Sequence, residues 1–369
     1  MTEQGIDVSS VAYALSASGV RVEGDLHLKP ISGGRSNYTA QLSDRSSRWI
    51  LRAPPAEVPS RGAHDLIREV RVIKALAASA IPVAAIVLDA TTPAPGAGER
   101  PYYVMEEVEG IVLRTRADVA ALDEGARRTV AEHLIDTMAA LHEVDPVQVG
   151  LSDFGRPDGF LLRQLNRWRR QYHAISERHA RVVDRLAATL ERCLPDSPGP
   201  SLLHGDYRLD NVIVSSSVPP RLAAVLDWEM STLGDPGTDL GALLMFWDEE
   251  GSAWNPVTQG LMAFSGMPSR DEVVTRYLAA RSMPLDPAAI AWYGAFARLK
   301  LAVILEQLHV RASRDVPLAD HAHRSSGSSE RFDVMVDQLL DEVDAMSSEV
   351  RRQAGLTSTM YRPREGDSR

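Results

Sequence analysis

Leu202–Val214 reads LLHGDYRLDNVIV, and Ala224–Pro236, a little further on, reads AVLDWEMSTLGDP. In the first stretch a histidine, two aspartates, an arginine and an asparagine stand between two apolar runs. Short apolar runs bounded by polar clusters read as buried strands. Polar groups placed between buried segments are costly without partners, so a loop this rich in them implies a shared ligand or a bonding network. In the second stretch AAVLDW reads as a buried strand that delivers Asp227 at its end. Asp and Asn are also ordinary turn residues. The five-residue spacing of Asp206 and Asn211, with a further acid closing the next strand, favours chemistry over turns. Phosphoryl transfer from ATP needs a carboxylate to orient or deprotonate the acceptor hydroxyl, an oxygen-rich pocket for Mg2+, and a cation to offset charge on the moving group. Asp206 suits the first task. Asn211 and Asp227 suit the second, because Mg2+ takes hard oxygen ligands and few protein ones. Arg208 suits the third.

Upstream, the chain reads as a strand-rich lobe with one helix set inside it. Residues 1 to about 20 read as a short helix. VRVEGDLHLKPISGGRSNYTAQLSD and SRWILRAPP read as strands broken by a Gly-Gly turn, the latter ended by Pro54 and Pro55. HDLIREVRVIKALAAS carries Leu66, Val70, Ile73 and Leu76 as a helical stripe. IPVAAIVLDAT and PYYVMEEVEG read as two more strands across a Pro/Gly-rich turn. From about residue 111 the pattern turns helical, with Val130, Leu134, Met138 and Leu141 on one face. WYGAFARLKLAVILEQLHV is apolar nearly all round, as in a helix at the centre of a bundle. RFDVMVDQLLDEVDAM closes the fold through Phe332, Met335, Leu339 and Val343. SRDVPLADHAHRSSGSSER reads as a mobile loop, and residues 356–369 read as a disordered tail.

A chain of 369 residues is long for one core and predicts two lobes. Its 44% hydrophobic and 24% charged content is ordinary for a globular protein. The lone Cys193 forbids an intramolecular disulfide and fits a reducing, cytoplasmic location. The first residues hold early acids and no long apolar run, so no signal peptide is expected. No run of about 18 uncharged apolar residues predicts a membrane span. A net charge of −10 argues against a nucleic-acid binder. Oligomeric state leaves no mark in the sequence.

The blocks ISGGRSN, WILRAPP, YYVMEEVEG, FGRPDGFLLRQLNRWRRQY, LLHGDYRLDN and VLDWEMSTLGDPGTDL, in that order, resemble those of the aminoglycoside phosphotransferase-type kinases. The likeness is nearest to the subfamily also found fused to acyl-CoA dehydrogenases, and it covers roughly residues 20 to 345. It implies an α+β, bilobal protein-kinase-like fold. A small antiparallel β-sheet N-lobe, residues 1–107, would bind nucleotide. A larger, mainly helical C-lobe, residues 108–355, would hold the catalytic groups and the acceptor. It further implies ATP as donor, with GTP open, and Mg2+. Asp206 would be the catalytic base, aided by Arg208, and Asn211 and Asp227 would hold the metal. His204 would support the loop, and Asp235 and Asp239 would be structural. At the hinge MEEV, the Glu106 carbonyl and Val108 amide would meet adenine, with Met105 behind it. Gly33, Gly34 and Ser36 would lie at the phosphates.

Two departures stand out. Arg52 takes the place of the family's phosphate-holding lysine, with Glu69 as its partner on the inserted helix, and a guanidinium fork differs from a point-like ammonium. SGGRSN is also not G-x-G-x-x-G, although its backbone amides can still face phosphate. Between Arg163 and Arg181 stand six arginines and one acid, Glu177, a local reversal of the chain's charge. A solvated helix face explains such a run, and so does an anionic acceptor such as a hydroxyacyl-CoA. The expected function is therefore transfer of the γ-phosphoryl group to a small-molecule hydroxyl, a hydroxyacyl or similar metabolite before an aminoglycoside. The rivals are a non-catalytic nucleotide-binding pseudokinase and a metal-dependent phosphoesterase built on His204, Asp206 and Asp227. A two-metal site for the latter would need more clustered histidines or acids. His133 and His142, nine apart, do not make one.

Overall fold

The structure, a computed structural model, describes residues 2–3, 5–31, 37–55, 59–92, 100–252, 255, 258–283, 285–313 and 328–355. The chain opens with a short pairing of β1 (Thr2–Glu3) and β2 (Ile6–Asp7), then α1 (Val8–Ala17). Asp7 caps α1 by accepting from Ser9 N. An antiparallel sheet follows, built from β3 (His27–Pro30), β4 (Tyr38–Ser43), β5 (Arg48–Ala53), β6 (Ile86–Ala90) and β7 (Tyr102–Glu106) in the order β3-β4-β5-β7-β6. Residues 20–26, expected as strand, do not pair. Gly24 turns the chain at φ +85°, and the Asp44 carboxylate accepts from Glu23 N at 2.6 Å. Between β5 and β6 runs α2 (Pro59–Leu76).

The two-residue period of a strand puts alternate side chains on opposite faces. On one face Trp49, Leu51, Ala53, Tyr102 and Val104 pack with Val11 and Leu15 of α1. On the other, Tyr103 and Met105 pack with Leu66 and Val70 of α2. The sheet is thus covered on both sides, and Arg52 falls on the α2 side. The stripe read on α2 is borne out, with Leu66, Val70, Ile73 and Leu76 all buried.

The rest of the chain is mainly helical: α3 (Arg116–Ala120), α4 (Glu124–Glu143), α5 (Phe160–Ile175), α6 (Ala180–Arg192), α7 (Gly237–Met245), α8 (Arg270–Ala279), α9 (Ile290–Ser313) and α10 (Ser328–Gln353). Two small antiparallel pairs interrupt it. β8 (Ser201–Leu203) joins β11 (Thr232–Gly234), and β9 (Val212–Val214) joins β10 (Leu222–Val225). Val130, Leu134, Met138 and Leu141 of α4 are fully buried as read. The buried stripe of α10 is Val336, Leu339, Leu340 and Val343, while Phe332 and Met335 only pack against it.

α9 is the central helix, packed on α5, α7 and α10. Trp292 and Phe296 stack within it, centroids 5.3 Å apart. Pro287–Ser313 is long and apolar enough to cross a membrane by length and composition, in a window that allows up to two charges. The protein itself buries 61% of that window, as it does for a core helix. The expected loop of residues 314–327 and the tail of 356–369 lie outside the described residues.

Candidate active site

Arg52 and Glu69 meet where β5 faces α2. Glu69 is 1% exposed, and Arg52 Nη1 forms an ion pair with its Oε1. The same guanidinium reaches across to Asp227, with Nη2 3.3 Å from Oδ1. Burial pushes the Glu69 carboxyl up, while Arg52 pulls it back. Burial alone would lower the Arg52 guanidinium, but Glu69, Tyr103 and Asp227 more than offset that and raise it. Asp227 itself follows β10 in a left-handed backbone conformation, φ +65°. That region costs a non-glycine residue roughly 1–2 kcal/mol, and Asp is among the few that visit it.

On the other side lies the loop between β8 and β9. The backbone amides of His204, Gly205 and Asp206 each donate to a side chain. His204 N and Gly205 N donate to the two oxygens of Asp239 at 2.7 and 3.0 Å. Asp206 N donates to His204 Nδ1 at 3.2 Å, so Nε2 carries the ring proton and donates to Leu226 O at 2.7 Å. His204 therefore bolts the loop to the residue before Asp227. Leu226 N also donates to Asn211 O at 2.8 Å. Asp206 lies 42% exposed, its Oδ1 3.3 Å from Arg208 Nε. Arg208 also pairs with Asp210 at 3.0 Å and sits over the Phe246 ring, 4.7 Å from its centroid. Asn211 Nδ2 donates to Asp206 O at 2.8 Å and Oδ2 at 3.1 Å. That leaves the Asn211 amide oxygen, with the half-exposed Asp227 carboxylate, as hard donors of the kind Mg2+ takes.

The structure thus draws Asp206 and Asn211 into one hydrogen-bonded group with Arg208 in ion-pair contact, and Arg52, Glu69 and Asp227 into another, joined through His204 and Leu226. Met105 is buried beside Tyr103, and Val108 packs on the same cluster, while Glu106 is exposed and its amide donates to Ala85 O at 2.9 Å. Glu107, between them, is tied back to the sheet by Gln41 at 2.6 Å and Arg48 at 2.8 Å. Gly33, Gly34 and Ser36 lie outside the described residues. Of the six arginines, Arg169 pairs with Asp184 and Arg178 with Glu306, so the local charge reversal is partly neutralised. Among the described residues no three His, Cys, Asp or Glu side chains cluster as a metal site. His142 instead bonds Tyr277 at 2.7 Å and Asp239 at 3.3 Å. Sequence reading missed Lys300, whose Nζ donates to Gly205 O at 2.9 Å from α9. It also missed Asn37, which donates to Glu229 at 3.4 Å between sheet and loop.

Taken together, these features define a protein-kinase-like cleft: a strand arginine paired to a helix glutamate, facing a catalytic-type loop and an aspartate after the next strand. The chain belongs to the phosphotransferase enzyme family, whose match spans residues 27–293. It is 32% identical over 327 residues to acyl-CoA dehydrogenase family member 11 of Gallus gallus, covering 86% of this chain and 40% of that protein. The chain thus spans about two fifths of that relative. The crystal structure of an aminoglycoside phosphotransferase-type protein from Ralstonia eutropha is 27% identical, with a TM-score of 0.76, covering 92% of this chain and 98% of that one. Spectinomycin phosphotransferase, solved with ADP and spectinomycin, shares the fold with a TM-score of 0.59 at 14% identity, covering 93% of this chain and 99% of that one.

Proposed function

We propose that this chain transfers the γ-phosphoryl group of ATP to a hydroxyl of a small molecule, with Mg2+, and that a hydroxyacyl compound is a better acceptor than an aminoglycoside. The observation that carries the reading is the Arg52 guanidinium, held by Glu69 on one side and Asp227 on the other. It puts the cation of the sheet and the acid after β10 into one cleft, with the Asp206 loop bolted to that acid's neighbour. In this scheme Asp206 accepts the acceptor's hydroxyl proton as the new O–P bond forms and the bond to the β-phosphate oxygen breaks. Asn211 and Asp227 would hold Mg2+, which supplies charge neutralisation on the phosphate oxygens. Arg208 keeps Asp206 oriented, and Arg52 balances phosphate charge. The acceptor class rests on the acyl-CoA dehydrogenase relatives and on Arg167, Arg170 and Arg181, which pair with no acid among the described residues.

One observation favours a second reading. Arg52 already neutralises Asp227, as a non-catalytic nucleotide-binding protein would tolerate. One set of measurements separates the two. ATP consumption is followed against a panel of hydroxyacyl-CoA thioesters, amino alcohols and aminoglycosides, with Asp206→Ala as control, beside thermal shifts with ATP, GTP and Mg2+. Catalysis predicts acceptor-dependent ADP formation that falls roughly a hundredfold or more in the variant. A thermal shift with no turnover on any acceptor would leave the binding protein.

A further inference from the structure

The sequence holds 40 lysines and arginines, and only Lys29, Lys74 and Lys300 are lysines. Lys29 lies on the edge strand β3, and Lys74 is half exposed and paired with Asp89 at 2.6 Å. Lys300 is different. It sits on α9 beside buried Phe296, Leu299 and Val303. A lysine on such a helix ordinarily runs its stem out to water. Here its Nζ donates to the Gly205 carbonyl instead, with the Trp168 ring 5.9 Å away. Loss of surrounding water lowers the ammonium's pKa, while Asp206 and Asp239 oppose the drop.

The carbonyl that Lys300 takes belongs to the peptide joining Gly205 to Asp206. The N–H of that peptide is already held by His204 Nδ1, and the loop on either side is held by Asp239 and Asn211. Met230 O presses on the other side of Gly205, where an added Cβ would come within 2.5 Å of it. We propose that Lys300 is a positioning residue: gripping the Gly205 carbonyl from α9, it fixes the plane of the Gly205–Asp206 peptide and so the direction in which the Asp206 carboxylate leaves the loop. A compact ammonium suits one carbonyl in a tight space, where a planar guanidinium does not. This role rests on the reading of Asp206 as base.

The test compares the full chain with Lys300→Met, which keeps the stem and loses the donor, and Lys300→Gln, which keeps a neutral donor. Turnover of MgATP with water as acceptor, the KM for MgATP, and hydrogen exchange of the Gly205–Tyr207 amides are measured. Lys300→Met should lower kcat roughly ten- to a hundredfold, leave the KM for MgATP within about twofold, and speed exchange at those amides. Lys300→Gln should recover part of both. Wild-type kcat and exchange in Lys300→Met would overturn the proposal, and so would parallel losses of kcat and MgATP binding, the signature of general damage. If the wild type does not turn over ATP, exchange alone decides, and unchanged protection in Lys300→Met overturns the role. If Lys300→Met fails to fold, the same comparison is made on Lys300→Gln, whose exchange and kcat must fall between full function and loss. Failure of MgATP to raise the wild-type melting temperature is a separate result, and it counts against the kinase reading.

Discussion

In an Arg52→Met variant the Glu69 carboxyl, 1% exposed, keeps its burial and loses its cation. An unpaired buried carboxylate is costly enough that the group takes up a proton instead. Its unfolded pKa is close to 4.5. Holding it neutral at pH 7 therefore costs about two and a half pH units at roughly 1.4 kcal/mol each, or about 3.5 kcal/mol. That agrees with the roughly 3–5 kcal/mol lost when one member of a buried ion pair is removed. The cost should shrink as the pH is lowered, to less than about 1 kcal/mol near pH 5, because there the free carboxyl is closer to protonated in any case. A second substitution, Glu69→Leu, removes the stranded group, and the double variant should regain most of the loss. Denaturant unfolding at pH 7 and pH 5 reads all of this. A loss in Arg52→Met that does not change between the two pH values, or that Glu69→Leu fails to relieve, would refute the buried-pair account. Arg52→Met should also abolish the MgATP thermal shift if the guanidinium meets phosphate.

Gly205→Ala combines a φ of +87° with a Cβ 2.5 Å from Met230 O, so it should cost roughly 2 kcal/mol or more and cut turnover, read by thermal unfolding and ATP consumption. For His142, burial lowers the imidazole below the ordinary value of 6.5, although Asp239 opposes it. The folded protein therefore binds this proton more weakly than the unfolded chain. Its contribution is complete above about pH 6.5 and is lost as the pH falls through the window beneath that value, at up to about 1.4 kcal/mol per pH unit. His142→Gln should flatten that part of the stability profile in urea unfolding, and an unchanged slope would count against the buried neutral ring.

The loop from His204 to Asn211 was legible because its members are contiguous, so their spacing survives in the sequence. Arg52 and Glu69 could be paired because each falls on a periodic element whose inward face can be counted. Other features could not be read. β8, β9 and β10 fall on the apolar runs read as buried strands, but β11, three residues long, is too short for an alternation to be recognised. Lys300 lies 95 positions from Gly205, and Asp227 lies 175 from Arg52, and no local pattern encodes such contacts. The clue to Lys300 was compositional: one lysine inside an apolar helix of an arginine-rich chain.

The arginine at position 52 is more coherent with its surroundings than the sequence alone suggested. A lysine offers one ammonium, whose compact charge suits a single carboxylate or a phosphate. The guanidinium at Arg52 instead spreads two nitrogens, one towards Glu69 on α2 and one towards Asp227 after β10. One side chain thereby ties the inserted helix, the sheet and the aspartate after β10 together. Among the described residues, Arg52 Nε has no hydrogen-bond partner. Buried polar atoms left open in this way mark a place where the resting hydrogen bonding is incomplete. A phosphate oxygen placed there would accept from the open guanidinium N–H. The arginine thus braces three elements where a lysine would meet a single carboxylate, a difference in how the cleft is held together.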